Sequence, residues 1–459
     1  MASRISKLRL QPAEKDMTQG TPWKLILGFF FPLLLGNCFQ QVYNLVDTII
    51  VGKGIGDQAL AAVGSTGSLH FFIFGFVTGL TNGASIPIAQ AYGAKDPARL
   101  KKVVAQSALT CISIGFLFSI LSVACTVPLL DLLKTPSDIF PDACLYMQIF
   151  CAGLFITTLY NYVSCVLRAI GDSRTPLWSI VISSLANVGL DILFVIVWHW
   201  GVAGAAIATV LAQLLSVVFC FMKLSKATAI IPGRSDWRPD MKAILSLIKL
   251  GLPVGFMNSV TACGGMLLQY FVNGMGSVYT AAYAVCQRFF AFFEQPGVAI
   301  GLSVSTYVGQ NFGAKDLKRI RTGVVSACVM TLIMGLALGS LEWFFPDTLA
   351  GLMLTDRATI RICRQLLPYG GMLLWLLNFL FVYRYACLAM SYTTMPMVSG
   401  ILELVLRVSF CLLLADRMGF PGITIAEMSA WVGAALFLCG YYHFVMRRLC
   451  MAQRKGTLT

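Results

Sequence analysis

Long stretches without a single formal charge decide what this chain can become. None occurs from Val103 to Leu130, from Ala143 to Leu167 or from Leu250 to Gln287, and about 20 mostly apolar residues suffice for a helix to cross a bilayer. Further apolar tracts run over 192–222, 322–341, 365–383 and 428–446. Some tracts are long enough for two crossings and break at polar or glycine-rich points, at His199-Trp-Gly201 and Asn273-Gly-Met-Gly276. The pattern predicts an all-α polytopic membrane protein. Its twelve transmembrane helices are expected near 24–50, 58–91, 100–130, 143–169, 175–198, 202–223, 243–272, 278–311, 319–345, 361–389, 394–417 and 425–446.

Composition narrows the class. Only 12% of the chain is charged, about half the ~25% usual in soluble domains, which excludes a soluble enzyme, a disordered scaffold and a secreted disulfide domain. The formal charge of +14 could suggest a nucleic-acid partner, but its distribution says otherwise. Twenty-five of the 34 Lys and Arg residues fall on the side that holds both termini, among them Arg4, Lys7, Arg9, Lys95, Arg99 and Arg234, against six opposite. That asymmetry predicts cytoplasmic termini and makes a nucleic-acid partner unnecessary. The segment before Pro22 is polar, so the first helix is expected to direct insertion rather than a cleaved leader. The fifteen Cys are scattered through apolar tracts without a C-x-x-C, which fits small buried thiols rather than a metal site or disulfide set. With His70, His199 and His443 dispersed along the chain, no nucleophile–base constellation or metal site is expected and the chain reads as a non-enzyme.

The sequence repeats itself. Gly93-Ala-Lys-Asp96 recurs as Gly313-Ala-Lys-Asp316, an offset of 220. In the same register Gln90 matches Gln310, Gly54 and Gly56 match Gly274 and Gly276, and Ala61-Ala62 match Ala281-Ala282. Two halves of six helices, 1–232 and 233–459, are therefore expected in one orientation around a central cavity. The polar stretch from Lys223 to Lys242 joins them. Pro32, Pro87, Pro253 and Pro296 fall inside predicted helices, where each removes a backbone hydrogen bond and permits a bend.

A charge placed in a bilayer costs about 2.5–3.5 kcal/mol on insertion scales, so acids within helices are functional candidates. Four lie well inside predicted helices: Asp47, Asp191, Glu294 and Glu403. Tyr43 precedes Asp47 by one turn, and Asn187 precedes Asp191 by one turn. Thr209 offers a hydroxyl on the sixth helix. If those helices converge, two carboxyls, an amide, a phenol and a hydroxyl form one site. Such a cluster could take up a proton or a hard cation such as Na⁺, which prefers oxygen ligands. Glu403 has Arg407 four residues on, the favourable order for a helical ion pair. Glu294 is a candidate, with Gln40, for contact with substrate or a second ion, or for pairing with Arg288 or Arg384.

Several motifs then carry a resemblance. Asp47-Thr-Ile-Ile-Val-Gly52, Ala59-Leu-Ala-Ala-Val-Gly64, Gly93-Ala with its repeat Gly313-Ala, and Leu167-Arg-Ala-Ile-Gly-Asp172 followed by Thr175-Pro176 resemble bacterial MATE transporters, the multidrug and toxic compound extrusion family. The resemblance covers nearly the whole chain. It implies a cation-driven antiporter of the bacterial plasma membrane, exporting organic and often cationic compounds, coupled to H⁺ or Na⁺, monomeric and without a cofactor. In one bacterial branch of that family coupling is assigned to acids of the first and fifth helices with neighbouring polar groups. Those positions match Tyr43, Asp47, Asn187, Asp191 and Thr209. Branches that rely on acids in the seventh and tenth helices are not matched, since 250–272 and 365–383 contain none. A lipid-linked oligosaccharide flippase of related fold is the alternative, kept open by Arg288 and Arg384.

Overall fold

The computed structural model describes residues 15–227 and 230–455; Arg4, Lys7 and Arg9 lie outside them. Among the described residues every regular element is a helix. The described residues divide into two compact units, one containing Asp16 and Phe31–Gly255, the other Met17–Phe30 and Phe256–Lys455.

Helix α1 (Pro22–Gly54) begins in the second unit and ends in the first. The first unit continues with α2 (Asp57–Ser65), α3 (Gly67–Gly93), α4 (Pro97–Leu132), α5 (Phe140–Ala169), α6 (Arg174–Asp191), a π segment (Ile192–Val197) and α7 (Gly201–Leu224). Helix α8 (Met241–Asn273) mirrors α1, beginning in the first unit and ending in the second. The second unit then holds α9 (Ser277–Phe293), α10 (Gln295–Gly313), α11 (Leu317–Phe344), α12 (Pro346–Gly351), α13 (Arg357–Cys363), α14 (Leu367–Ala389), α15 (Thr394–Met418) and α16 (Phe420–Arg454).

Eleven of these spans are long and apolar enough to cross a membrane. The twelfth predicted crossing, 278–311, is α9 and α10 in sequence, parted at Glu294. The crossing expected at 58–91 is likewise divided at Thr66 into α2 and α3. Pro296 therefore does not bend a helix interior: it stands in the first turn of α10, where a missing N–H removes no helical bond. Pro32, Pro87 and Pro253 do lie within α1, α3 and α8.

The repeated Gly-Ala-Lys-Asp string has a local reason. Asp96 caps α4 and Asp316 caps α11, each accepting from the backbone N–H three residues on, Arg99 and Arg319, at 3.0 Å. The preceding lysines carry the reversal, with φ of 54° at Lys95 and 60° at Lys315. Loss of such a cap costs about 1 kcal/mol. Gly56 and Gly276, also paired by the repeat, turn the chain at φ of 128° and 108°, a region open to glycine and little else.

Helices meet where they carry small residues. A Cβ on Gly339 would stand 2.0 Å from the Gly371 carbonyl oxygen, so α11 and α14 touch backbone to backbone. In the first unit Gly79 and Gly83 of α3 meet Gly255 and Gly251 of α8 in the same way. Lipid supplies no hydrophobic drive between helices, so close van der Waals approach holds them. The opposite faces are apolar and bare, as at Phe116, Leu117, Ile120 and Leu121 of α4.

Candidate functional site

Asp47 lies on α1, one turn past Tyr43, so phenol and carboxyl share a face. Asp191 closes α6 and opens directly into the π segment, a widened turn of the kind that recurs at functional sites. One turn before it, the Asn187 amide, oriented to satisfy both neighbours, donates to Asp191 Oδ2 at 2.6 Å and accepts from the Thr209 backbone N–H at 3.1 Å. The Tyr43 hydroxyl lies beside Thr209, whose own hydroxyl donates to the Ala205 carbonyl at 3.1 Å. The carboxyls of Asp47 and Asp191 reach each other across the α1–α6 contact. The five residues expected to converge are together. Tyr146 of α5 joins them beside both acids, and sequence reasoning missed it because one tyrosine in an apolar helix has no distinguishing mark.

The cluster borders a cavity of about 610 Å³ in the first unit. Its wall includes Gln40, Asn44, His70, Phe74, Tyr160 and Gln213, but no lysine or arginine. Gln40 reaches it with its amide donating to Asn44 Oδ1 at 3.3 Å. Asp47 Oδ1 and Asp191 Oδ1 are buried without a hydrogen-bond partner. Neither acid takes part in an ion pair among the described residues. Two adjacent carboxyls without a base repel each other unless a cation sits between them. Two carboxyls, a phenol, a hydroxyl and an amide oxygen can hold a proton or a small hard ion.

The second unit treats its buried acids differently. Glu403 does not pair with Arg407 along its own helix; it accepts a hydrogen bond from the Arg384 guanidinium of α14. Arg407 reaches instead to Glu427 of α16 at 3.1 Å. The Tyr283 hydroxyl donates to the other oxygen of Glu427 at 3.3 Å. Four residues apart, Glu403 and Arg407 were within reach of one another, but neighbouring helices supplied each with a partner. Glu294 stands at the break between α9 and α10, and its charged neighbours are Glu427 and Arg407 rather than Arg288 or Arg384. Two buried acids escaped the sequence count. Glu427 sits in the eighth position of α16, because Gly419 at φ 64° lets that helix start at Phe420. Glu342 lies in the last turn of α11, buried and with neither carboxyl oxygen partnered.

A family model described as MatE matches residues 32–193 and matches again over 253–413, once in each half. "Probable multidrug resistance protein YoeA" of Bacillus subtilis (strain 168) is 27% identical over 437 residues, covering 93% of this chain and 94% of that protein. "Probable multidrug resistance protein YpnP" of the same organism is 27% identical over 432 residues, covering 94% and 96%. Among solved structures, an outward-facing multidrug resistance MATE family transporter of the MOP superfamily superposes with a TM-score of 0.89 at 22% identity. It covers 96% of this chain and 99% of its own.

Proposed function

The chain belongs to the MatE family, and from that premise we propose that it is an antiporter exporting organic, often cationic, compounds in exchange for a cation bound at Asp47 and Asp191. The observation that carries this reading is the carboxyl pair without a basic partner, with Asp47 lining a cavity and Asp191 buried beside it. The names of the curated relatives support the export of drugs. The protein is a multi-pass membrane protein; its bacterial plasma-membrane location, its monomeric state and the cytoplasmic side of its termini belong to the proposal.

The mechanism follows from linkage. A proton or Na⁺ held between Asp47 and Asp191 removes negative charge from a wall that otherwise attracts an organic cation. If the ion weakens substrate binding by some factor, the substrate weakens ion binding by the same factor. Alternation of access between halves 1–232 and 233–459 turns that reciprocity into exchange across the membrane. Tyr43, Asn187 and Thr209 orient the two carboxyls, while aromatic groups such as Phe74 and Tyr160 offer flat surfaces to an organic cation. Glu294 and Gln40 are candidates for further contact with substrate or a second ion. The test is drug efflux from vesicles under an imposed pH gradient and then an imposed Na⁺ gradient. Export driven by one gradient and lost in Asp47→Asn is expected; export indifferent to both would overturn the reading.

A further inference from the structure

Below the carboxyl pair, three helices of the first unit aim polar side chains along one line. On α6, Thr175, Ser179, Ser183, Asn187 and Asp191 recur every fourth residue, which stacks them on one face. Helix α5 sets Tyr160 and Ser164 at the same spacing, and α7 adds Thr209, Gln213 and Ser216. The cavity runs from Asp47 as far as Tyr160, Ser183 and Ser216. Past its floor the groups meet directly. Ser179 Oγ lies 3.5 Å from the Tyr160 hydroxyl, and Ser216 Oγ donates to the Ser179 carbonyl at 3.1 Å. Ser164 lies beside the Tyr160 hydroxyl, and Thr175 Oγ1 donates to Asp172 Oδ2 at 2.5 Å. Ser164, Ser179, Ser216, Thr175 and Asp172 are all buried.

We propose that this seam is a proton route joining the Asp47/Asp191 pair to Asp172, an inference that rests on the coupling role given to that pair above. The cavity is roomy and polar enough to admit water, and from its floor each link is a hydroxyl able both to accept and to donate. An O–H bond breaks at one carboxyl of the pair and an O–H bond forms at Asp172. In between, Tyr160 and Ser179, a water bridging the turn of α6 from Ser179 to Thr175, and Thr175 each give up one proton as they take another, so no charge is left behind. Arg168 Nη1 donates to Ser164 Oγ at 2.8 Å, which leaves the serine hydrogen free to face Tyr160 and makes Arg168 a positioning residue. A metal ion would need several oxygen ligands and room to pass. The seam offers one hydroxyl at a time through buried protein, so the route selects H⁺.

One observation separates a route from ordinary helix packing: the fold does not require the seam. At the offset of 220 the second unit puts Leu380 where the first has Tyr160, Met395 for Thr175, Tyr392 for Asp172 and Cys411 for Asp191. The same helices form there, keeping Ser399 where the first has Ser179 but none of its hydroxyl partners. The line is also interrupted as it stands. Ser179 Oγ donates to the Pro176 carbonyl at 2.7 Å, as Ser399 does to Pro396 in the second unit, so its hydrogen must turn away before a proton can pass. A route open at all times would dissipate the gradient that drives exchange; one closed by a single rotor need not.

The experiment uses the full chain, uniformly oriented in liposomes, with a pH jump applied to one face at a time. Protonation of the pair is followed by its carboxyl C=O infrared band, assigned by its loss in Asp47→Asn. A jump on the Asp172 side is expected to reach the pair roughly 10- to 100-fold more slowly in Tyr160→Phe and in Ser179→Ala, toward the range that loss of a positioned proton-transfer group costs. The jump on the opposite face is expected to be unaffected, which a merely structural role would not arrange. Equal rates from the Asp172 side in both variants and the parent would overturn the route. If the parent has no band that titrates and disappears in Asp47→Asn, the coupling reading itself fails, a different result. Thermal melting of each variant identifies misfolding, and because the two substitutions lie on different helices, either one alone decides the matter.

Discussion

The two units carry the same helices in the same register and fill them with opposite electrostatics. In the first, the line of α6 and α5 holds Ser164, Ser183, Asn187 and Asp191; at the offset of 220 the second has Arg384, Glu403, Arg407 and Cys411. The first unit leaves two carboxyls facing each other with no basic group. In the second, Arg384 joins Glu403 and Arg407 joins Glu427. An ion pair satisfied in place has no reason to exchange anything, whereas a pair of like charges needs a visitor. On the proposed reading one fold yields a fixed framework at these two ion pairs and an exchangeable site at Asp47 and Asp191, while Glu342 of the second unit is buried with neither oxygen partnered.

The sharpest way to break the contrast is to remove the visitor's host. Asp47→Asn keeps the shape and deletes one charge, so coupled export should fall by at least about tenfold, within the usual span of coupling between two sites. Membrane expression should be unchanged, and drug-resistance assays beside immunoblots of membrane fractions would read both. The second unit should respond in the reverse way. Glu403→Gln leaves the Arg384 guanidinium buried without its carboxylate, and breaking such a pair costs about 3–5 kcal/mol. Thermal unfolding in detergent should fall accordingly, while the double variant Arg384→Met with Glu403→Met recovers most of the loss. A Glu403→Gln protein that melts normally but loses coupling would place the exchangeable site in the wrong unit.

A smaller effect tests packing alone. Gly371→Ala puts a methyl 2.4 Å from the Gly339 carbonyl oxygen, and overpacking of this kind costs about 1–3 kcal/mol. Gly83→Ala in the first unit meets Gly251 at the same 2.4 Å, so the two should lower the melting temperature alike. Backbone contact, unlike charge, is handled in one way by both units.

The difference between the units was only half legible in the sequence. Apolar tracts placed the spans that the structure shows, eleven of them long and apolar enough to cross a membrane, and the i, i+4 spacing of Tyr43 with Asp47 and of Asn187 with Asp191 picked out the residues that meet. Spacing along one helix says which side chains share a face; it does not say which helix arrives opposite. Glu403 was therefore matched to its own Arg407 when its partner stands on α14, and Glu427 was passed over because α16 begins earlier than its polar first turn suggests. The breaks at Thr66 and Glu294 were marked only indirectly, by Gly64 and Gly67 around the first and by Pro296 just after the second, while the hydropathy of each tract runs straight through.

The weakest effect is also the most selective. Each unit clamps the segment that leads into the helix it shares with the other. In the second, Met17 and Gly20 are held by their backbones: the Met17 N–H donates to Gln310 Oε1 at 2.8 Å, and Arg319 donates to the carbonyls of Met17 and Gly20 at 3.2 and 2.9 Å. In the first, Gln106 holds the backbone of Asp236, Arg238 and Asp240 at 2.7, 2.8 and 2.9 Å, but Lys102 adds an ion pair to Asp240 at 2.7 Å. None of the groups in the second clamp titrates in acid, since amides and an arginine do not change charge there. Asp240 does. The hydrogen bond from Lys102, with backbone N–H groups of α8 assisting, holds its carboxyl below the ordinary 3.8. A carboxyl so depressed contributes stability above its unfolded value, and that contribution is lost as the pH falls through the folded one. The protection factor, exchange measured against the intrinsic rate at each pH, should thus stay constant at 17–20 as the medium is taken from neutral into the acid range, while protection at 236–240 falls below pH 3.8. Asp240→Asn should bring the faster exchange to neutral pH and leave residues 17–20 as they were. Equal acid sensitivity of the two segments would mean that the ion pair contributes nothing and that both clamps rest on backbone hydrogen bonds alone.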